Sequence, residues 1–448
     1  MARISNDDLV IRVARLVKQN QEFEEQIKRL KKQNDELNEQ LKSFYSKSAR
    51  DKSLKFNMAT VLFADIQGFS KLVEEINSSV IMDELDEILR EFNAIVAKYK
   101  MVKIKTIGDS YMCAGGIPVK NITNPVEVVM AAMEMRNFLE NKQGKNRIWD
   151  LKIGVHTGPV TATKSGKKEV HYYIKGDTVN IANRIETVSE HSEVLISVTT
   201  YELVKEFFDC EYYGKLPVKY KGDLQMFKVK GLKAELSADG LGMTANDAFR
   251  VKFGLIQFTD IQEIILDKLE KELPDYLYYH NIKHTIDVVT EVELIGWGEG
   301  CTDEEILLLK TAALFHDAGH TVAYENHEFH GTQLAREMLP AYNYTPEQIE
   351  RICEIIMATK LPPRPANLLE SIICDSDLDY LGRSDFIPVS NTLYEELKAQ
   401  NKIGSLNDWN KLQVKFISGH QYFTKTARRL REVNKQQQIE RIQGLIEE

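Results

Sequence analysis

No stretch of about 18 consecutive apolar residues occurs in this chain, which excludes a membrane-spanning helix. The opening MARISNDDLVIRVARLV lacks the charged-then-apolar layout and small-residue cleavage site of a secretory leader, so a cytoplasmic location is expected. Cysteine is sparse: Cys113, Cys210, Cys301, Cys353 and Cys374 are scattered and form no C-x-x-C pair. They read as reduced thiols rather than a disulfide framework or a zinc site. A basic excess is missing too. Lys and Arg number 58 against 67 Asp and Glu, a net charge of −9, which disfavours nucleic acid as a partner. Proline and glycine are absent from the first 48 residues, so nothing there breaks a helix.

What is present divides 448 residues into roughly three units. Over residues 1–48, Leu9, Val13, Leu16, Asn20, Phe23, Ile27, Leu30, Asn34, Leu37, Leu41 and Phe44 follow an unbroken 4-3-4-3 spacing. This is a coiled-coil seam, and its two asparagines at a positions favour an in-register parallel homodimer. From 55 to 232, strand and helix patterns alternate, predicting an α+β sheet with helices on one face. Residues 233–247, KAELSADGLGMTAND, break the pattern and read as a linker. From 248 to 448 nearly every segment has helical periodicity, predicting an all-α unit. Six of the ten histidines fall between His280 and His330 within it.

Two carboxylates stand out in the middle unit. Asp65 ends the apolar strand VLFADI, just before Gly68 and a helix start, and Asp109 sits at the hairpin turn of KTIGDSYM. Taken singly, each is more often a turn or cap residue. Together, beside a glycine-bearing helix start, they suit magnesium and a polyphosphate. Asn180 and Arg184 of GDTVNIANRIETV are spaced i,i+4 and share a helix face, fit to position a ribose and meet phosphoryl charge. Lys219 of PVKYKGDL is a candidate triphosphate partner.

These ordered motifs resemble the catalytic domain of the class III adenylyl and guanylyl cyclases, whose fold is a ferredoxin-like sheet with helices. The resemblance implies Asp65, the Ile66 carbonyl and Asp109 as contacts to two Mg or Mn ions. It implies Gly68, Phe69 and Lys219 as substrate contacts, Asn180 as the ribose-positioning residue and Arg184 as the transition-state residue. It further implies active sites shared between two subunits, which the coiled coil would bring together. Lys105, just before T-I-G-D, matches members that take ATP rather than GTP. Tyr173 occupies the second base-reading position, with Tyr172 the one-residue alternative.

In the third unit, His280 and His284 of YYHNIKHT are spaced i,i+4, FHDAGH brings His316 and Asp317, and ICDSDLDYLG follows. Histidine and aspartate from separate helices can enclose a divalent transition metal. The residues from about 250 to 400 resemble the HD superfamily of metal-dependent phosphohydrolases. That implies His284, His316, Asp317 and Asp377 as ligands, with Asp375 the alternative to Asp377. His320 and His327 then stand behind them or on a second ion. YHNIKHTIDVV also resembles the signature of cyclic-nucleotide phosphodiesterases, in which the first histidine, here His280, protonates the leaving oxygen. The expected protein is an adenylate cyclase joined to an HD phosphohydrolase. The alternatives are a guanylate cyclase, an HD domain acting on an unrelated phosphate ester, and a cyclase controlled by a non-catalytic HD sensor.

Overall fold

The computed structural model describes residues 53–67, 78–143, 149–165, 170–218 and 222–446. The coiled-coil segment, Gly68, Phe69 and Lys219 lie outside the described residues. The first unit is built on β1 (Ser53–Gln67), α1 (Ser78–Lys98), β2 (Val102–Ile107), β3 (Ser110–Gly115) and α2 (Asn124–Gln143). It continues through β4 (Asp150–Ser165), β5 (His171–Lys175), α3 (Asp177–Val188), β6 (Glu193–Ser197), α4 (Val198–Val204), β7 (Phe208–Val218) and β8 (Gly222–Leu232). The strands form one mixed sheet in the order β2-β3-β1-β4-β6-β8-β7, with β5 paired to β4. Only β4 and β6 run parallel among these pairs.

The expectation that the helices lie on one face is corrected. β1 is apolar on both sides, because successive side chains of a strand point opposite ways. Leu62, Ala64 and Ile66 pack with Ile88 and Phe92 of α1 and Val129 and Ala132 of α2. Val61 and Phe63 belong to a second cluster on the other face, which includes Ala182 and Val179 of α3. The close seat of α3 depends on Gly154, paired with Phe63 across the sheet. A Cβ at Gly154 would lie 2.1 Å from the Glu186 backbone nitrogen.

Residues 233–247 form a folded turn rather than a free tether. Leu236 is buried in the cyclase-side core, and the Asp239 carboxylate accepts from the Leu241 backbone N–H at 2.9 Å. The next helix, α5 (Asp247–Glu272), is capped by Asn246, which accepts from Phe249 N at 3.0 Å. Phe249, Phe253 and Ile256 of this helix join the sheet's core. Phe258, Ile261, Ile265 and Leu269 join the core of the helical unit. One continuous helix therefore serves both units. Asp260 on it accepts from Ile122 N at 2.9 Å, tying the loop before α2 to the helical unit.

The remaining helices are α6 (Ile282–Glu299), α7 (Asp303–Phe315), α8 (His327–Met338), α9 (Pro346–Ala358) and α10 (Leu368–Asp377). They are followed by α11 (Phe386–Ala399), α12 (Leu406–Gly419) and α13 (Lys425–Gln443). A 3-10 turn over Ala318–Thr321 follows the His316–Asp317 pair. None of the described helices is long and apolar enough to cross a membrane.

Candidate active sites

In the sheet unit, Asp65 pairs with Ser110 in the β1–β3 ladder, while Asp109 occupies the β2–β3 turn beside Gly108 at φ +61°. The Ile66 N–H donates to the Asp109 carbonyl at 3.0 Å, so the two aspartates are held at one corner of the sheet. Ile66 is fully buried. Glu186, at 7% exposure on the inner side of α3, was missed by motif reading. Burial, then the nearby charges of Asp65 and Asp109, push its carboxyl up to about 7. Such concentrated negative charge fits a cation-binding corner.

Asn180 and Arg184 are exposed on α3, whose Ile181 and Ile185 are buried. Arg184 Nη2 donates to the Pro217 carbonyl at 2.5 Å. Among the described residues, no hydrogen bond or ion pair joins Asn180 or Arg184 to Asp65 or Asp109. Lys105 is exposed on β2. Strand alternation turns Tyr172 and Ile174 onto the core and leaves Tyr173 outward, 40% exposed.

The histidine cluster is built from α6, α7 and α10. His284 Nε2 lies 3.1 Å from Asp377 Oδ1 and 3.4 Å from Asp317 Oδ2. His316 Nε2 lies 3.2 Å from Asp317 Oδ2, 3.5 Å from Asp377 Oδ1 and 3.4 Å from His284 Nε2. These four side chains converge on one point. His316 Nδ1 is positioned to donate to the Ala313 carbonyl at 2.7 Å, which leaves Nε2 as the inward lone pair. Burial alone would push both rings toward neutrality, but Asp317 and Asp377 hold the imidazoles of His284 and His316 above their ordinary range. The two carboxyls lie below theirs, against burial, because of the same histidines. This donor set would suit a divalent cation, whose binding needs the rings neutral.

Asp317 Oδ1 faces a second group: His327 Nε2 at 3.5 Å and His320 Nε2 at 4.0 Å. His280, Asp317 and His320 form a further candidate metal triad. Burial pushes His320 down to about 3, and neither of its ring nitrogens has a hydrogen-bond partner, as suits a neutral metal ligand. Asp375 is a correction. It points away from the cluster and accepts from Phe423 N at 2.8 Å, Thr424 N at 2.8 Å and Thr424 Oγ1 at 2.7 Å. Two residues on a helix differ by about 200° in direction, so only one of Asp375 and Asp377 can face the histidines.

The sequence reading also missed Glu396. It is fully buried on α11, its Oε1 lies 2.5 Å from His280 Nδ1, and its Oε2 accepts from Tyr279 N at 2.9 Å and His280 N at 3.1 Å. No local motif marks it; only the fold brings it 116 positions back to His280.

Comparison with known proteins defines the class. Residues 52–231 match the family described as the adenylate and guanylate cyclase catalytic domain, and residues 281–381 match the HD domain. The chain therefore carries a nucleotide cyclase catalytic domain followed by an HD domain. Among curated proteins it is similar to the receptor-type guanylate cyclase gcy-8 of Caenorhabditis elegans, 34% identical over 187 residues, 40% of this chain and 16% of that one. It is also similar to the human atrial natriuretic peptide receptor 2, 32% identical over 182 residues, 39% of this chain and 17% of the receptor. The aligned region is thus under a fifth of those relatives' length. Among solved structures, the guanylate cyclase domain of RhGC from Catenaria anguillulae, in complex with GTP, is 29% identical. That match covers 39% of this chain and 97% of the other, with a TM-score of 0.36. The adenylyl cyclase CyaB from P. aeruginosa is 30% identical, covering 40% of this chain and 95% of that one, with a TM-score of 0.37.

Proposed function

We propose that the chain is a homodimeric adenylate cyclase whose HD domain hydrolyses the cyclic nucleotide it makes. The observation that carries this reading is that one chain holds both side-chain sets complete, Asp65, Asp109, Asn180 and Arg184 in one domain and His280, His284, His316, Asp317 and Asp377 in the other. Within the described residues neither Asn180 nor Arg184 bonds to Asp65 or Asp109, which is compatible with sites shared across a dimer. The coiled coil over residues 1–48 would hold that dimer together in parallel.

When bound, two Mg or Mn ions at Asp65, the Ile66 carbonyl and Asp109 supply charge for the triphosphate and acidity for the ribose 3′-hydroxyl. Asn180 orients the ribose, and Arg184 meets negative charge on the transferring phosphoryl group. Gly68, Phe69 and Lys219 hold the triphosphate. Lys105 donates to the adenine ring nitrogen, and the outward Tyr173 hydroxyl accepts from the amino group. In the HD domain, His284, His316, Asp317 and Asp377 would hold a divalent ion that supplies Lewis acidity. His320 and His327 serve a second position. Glu396 occupies His280 Nδ1, which leaves the other ring nitrogen to give its proton to the leaving oxygen.

A guanylate cyclase is the second reading, favoured by the names of the curated relatives. Competing ATP against GTP with manganese distinguishes the two. The adenylate reading expects cyclic AMP as the main product and a shift toward cyclic GMP in Lys105→Glu. Preference for GTP by the wild-type protein overturns it.

A further inference from the structure

A cleft of about 280 Å³ runs from the metal cluster between α6 and α11. His284 and Asp377 line one end, and Asp287, Val288 and Glu291 continue along α6. From His284 to Glu291 is about 10 Å of helix, close to the span from a nucleotide's phosphate to the far edge of its base. Tyr380, three positions after Asp377, also lines the cleft, and its ring is stacked on Phe386 at 5.9 Å with 9° between planes. Arg383 ties the walls together, with Nη1 3.0 Å from Asp287 Oδ2 and Nη2 2.7 Å from Asp385 Oδ2.

At the far end, Arg431 holds two carboxylates of the cleft wall. Its Nε donates to Asp379 Oδ1 at 2.5 Å and its Nη2 to Glu291 Oε1 at 3.3 Å. The second oxygen of each, Asp379 Oδ2 and Glu291 Oε2, is buried without a hydrogen-bond partner. Asp379 as a residue is only 2% exposed. Ionised carboxylate oxygens accept and cannot donate, and leaving them buried and unpaired is unfavourable. Two such carboxylates in the wall of a cleft that also carries an aromatic ring suit a planar ligand that bears N–H donors.

We propose that this cleft is the base pocket of the HD domain, taking a nucleobase with an exocyclic amino group against Tyr380 and binding that group through Glu291 and Asp379. This assignment rests on the cyclic-nucleotide reading above and adds its specificity. Cyclic AMP carries the amino group; the cyclic monophosphate of unsubstituted purine riboside has only hydrogen there and offers no N–H donor on that edge.

The test compares the two cyclic nucleotides on manganese-loaded full-length protein, with bis(p-nitrophenyl) phosphate as a diester lacking a base. Calorimetric binding of each nucleotide to His316→Ala adds a readout without turnover. Wild type is expected to favour cyclic AMP in kcat/KM and in affinity by about tenfold or more. Glu291→Leu and Asp379→Asn are expected to bring the ratio toward one, with manganese content and thermal midpoint reporting the fold. Equal handling of both nucleotides by wild type overturns the pocket assignment, as does a ratio unchanged in both variants. Collapse of both variants assigns the carboxylates to the fold and likewise overturns it. Cleavage of the baseless diester but of neither nucleotide removes the cyclic-nucleotide reading itself.

Discussion

His280 Nδ1 and Glu396 Oε1 lie 2.5 Å apart, and the Glu396 side chain has no exposed surface. Burial pushes this carboxyl up, but the hydrogen bonds from His280 and two backbone amides bring it below its ordinary range. An ionised carboxylate fixes the ring's orientation. Glu396→Gln should lower cyclic AMP hydrolysis by about 100-fold while bound metal stays at the wild-type level. Steady-state kinetics with metal analysis checks this. An unchanged kcat would free His280 from dependence on Glu396.

The two aspartates of DSD should fail differently. Asp377→Asn should weaken metal binding by more than the roughly 10–100-fold typical of losing an outer partner. Asp375→Asn should keep the metal and lose stability, about 1–3 kcal/mol, because one amide oxygen cannot accept from all three donors of the 423–424 turn as two carboxyl oxygens do. Metal titration and thermal melting of both variants separate the roles.

Shared cyclase sites predict complementation. Asp65→Ala and Arg184→Ala should each be inactive in synthesis. Mixing them in equal amounts, under conditions that allow exchange, should restore about a quarter of wild-type activity, since half the dimers then hold one intact site of two. A radiometric cyclase assay reads the result, and silence in the mixture despite exchange counts against sharing.

His420 gives a pH dependence remote from the metal cluster. It packs against Phe416 and Tyr422, and its ring nitrogens have no hydrogen-bond partner. Burial, with the Lys435 ammonium adding to it, pushes the ring down to about 4, while Glu432 pulls slightly upward. The unfolded chain protonates this residue near pH 6.5. Protons therefore favour the unfolded state between those values, and stability present above about pH 6.5 is lost as pH falls toward 4. His420→Leu should shrink the drop in thermal midpoint between pH 7 and pH 5, by the equivalent of about 2 kcal/mol.

Local motifs made much of this legible before the fold was seen. Asp65, Asp109 and the His316–Asp317 pair are declared by a few flanking residues, because metal and phosphate chemistry constrains short stretches of backbone. Asp377 against Asp375 depended on helix phase, which packing alone fixes. Glu396 carries no flanking signal, since its partner is distant in sequence. The apolar run VLFADI announced a buried strand but not that α3 would cover its second face. Periodicity likewise marked α5 as a helix without showing that its two halves enter different cores.

The central claim is that one chain both makes and breaks a cyclic nucleotide. Nucleotide chromatography of ATP incubated with manganese and either wild-type or His316→Ala protein tests it most directly. The account predicts pyrophosphate and 5′-AMP, with only transient cyclic AMP, from the wild type, and accumulating cyclic AMP from the variant. Equal accumulation in both, or none in either, would contradict it.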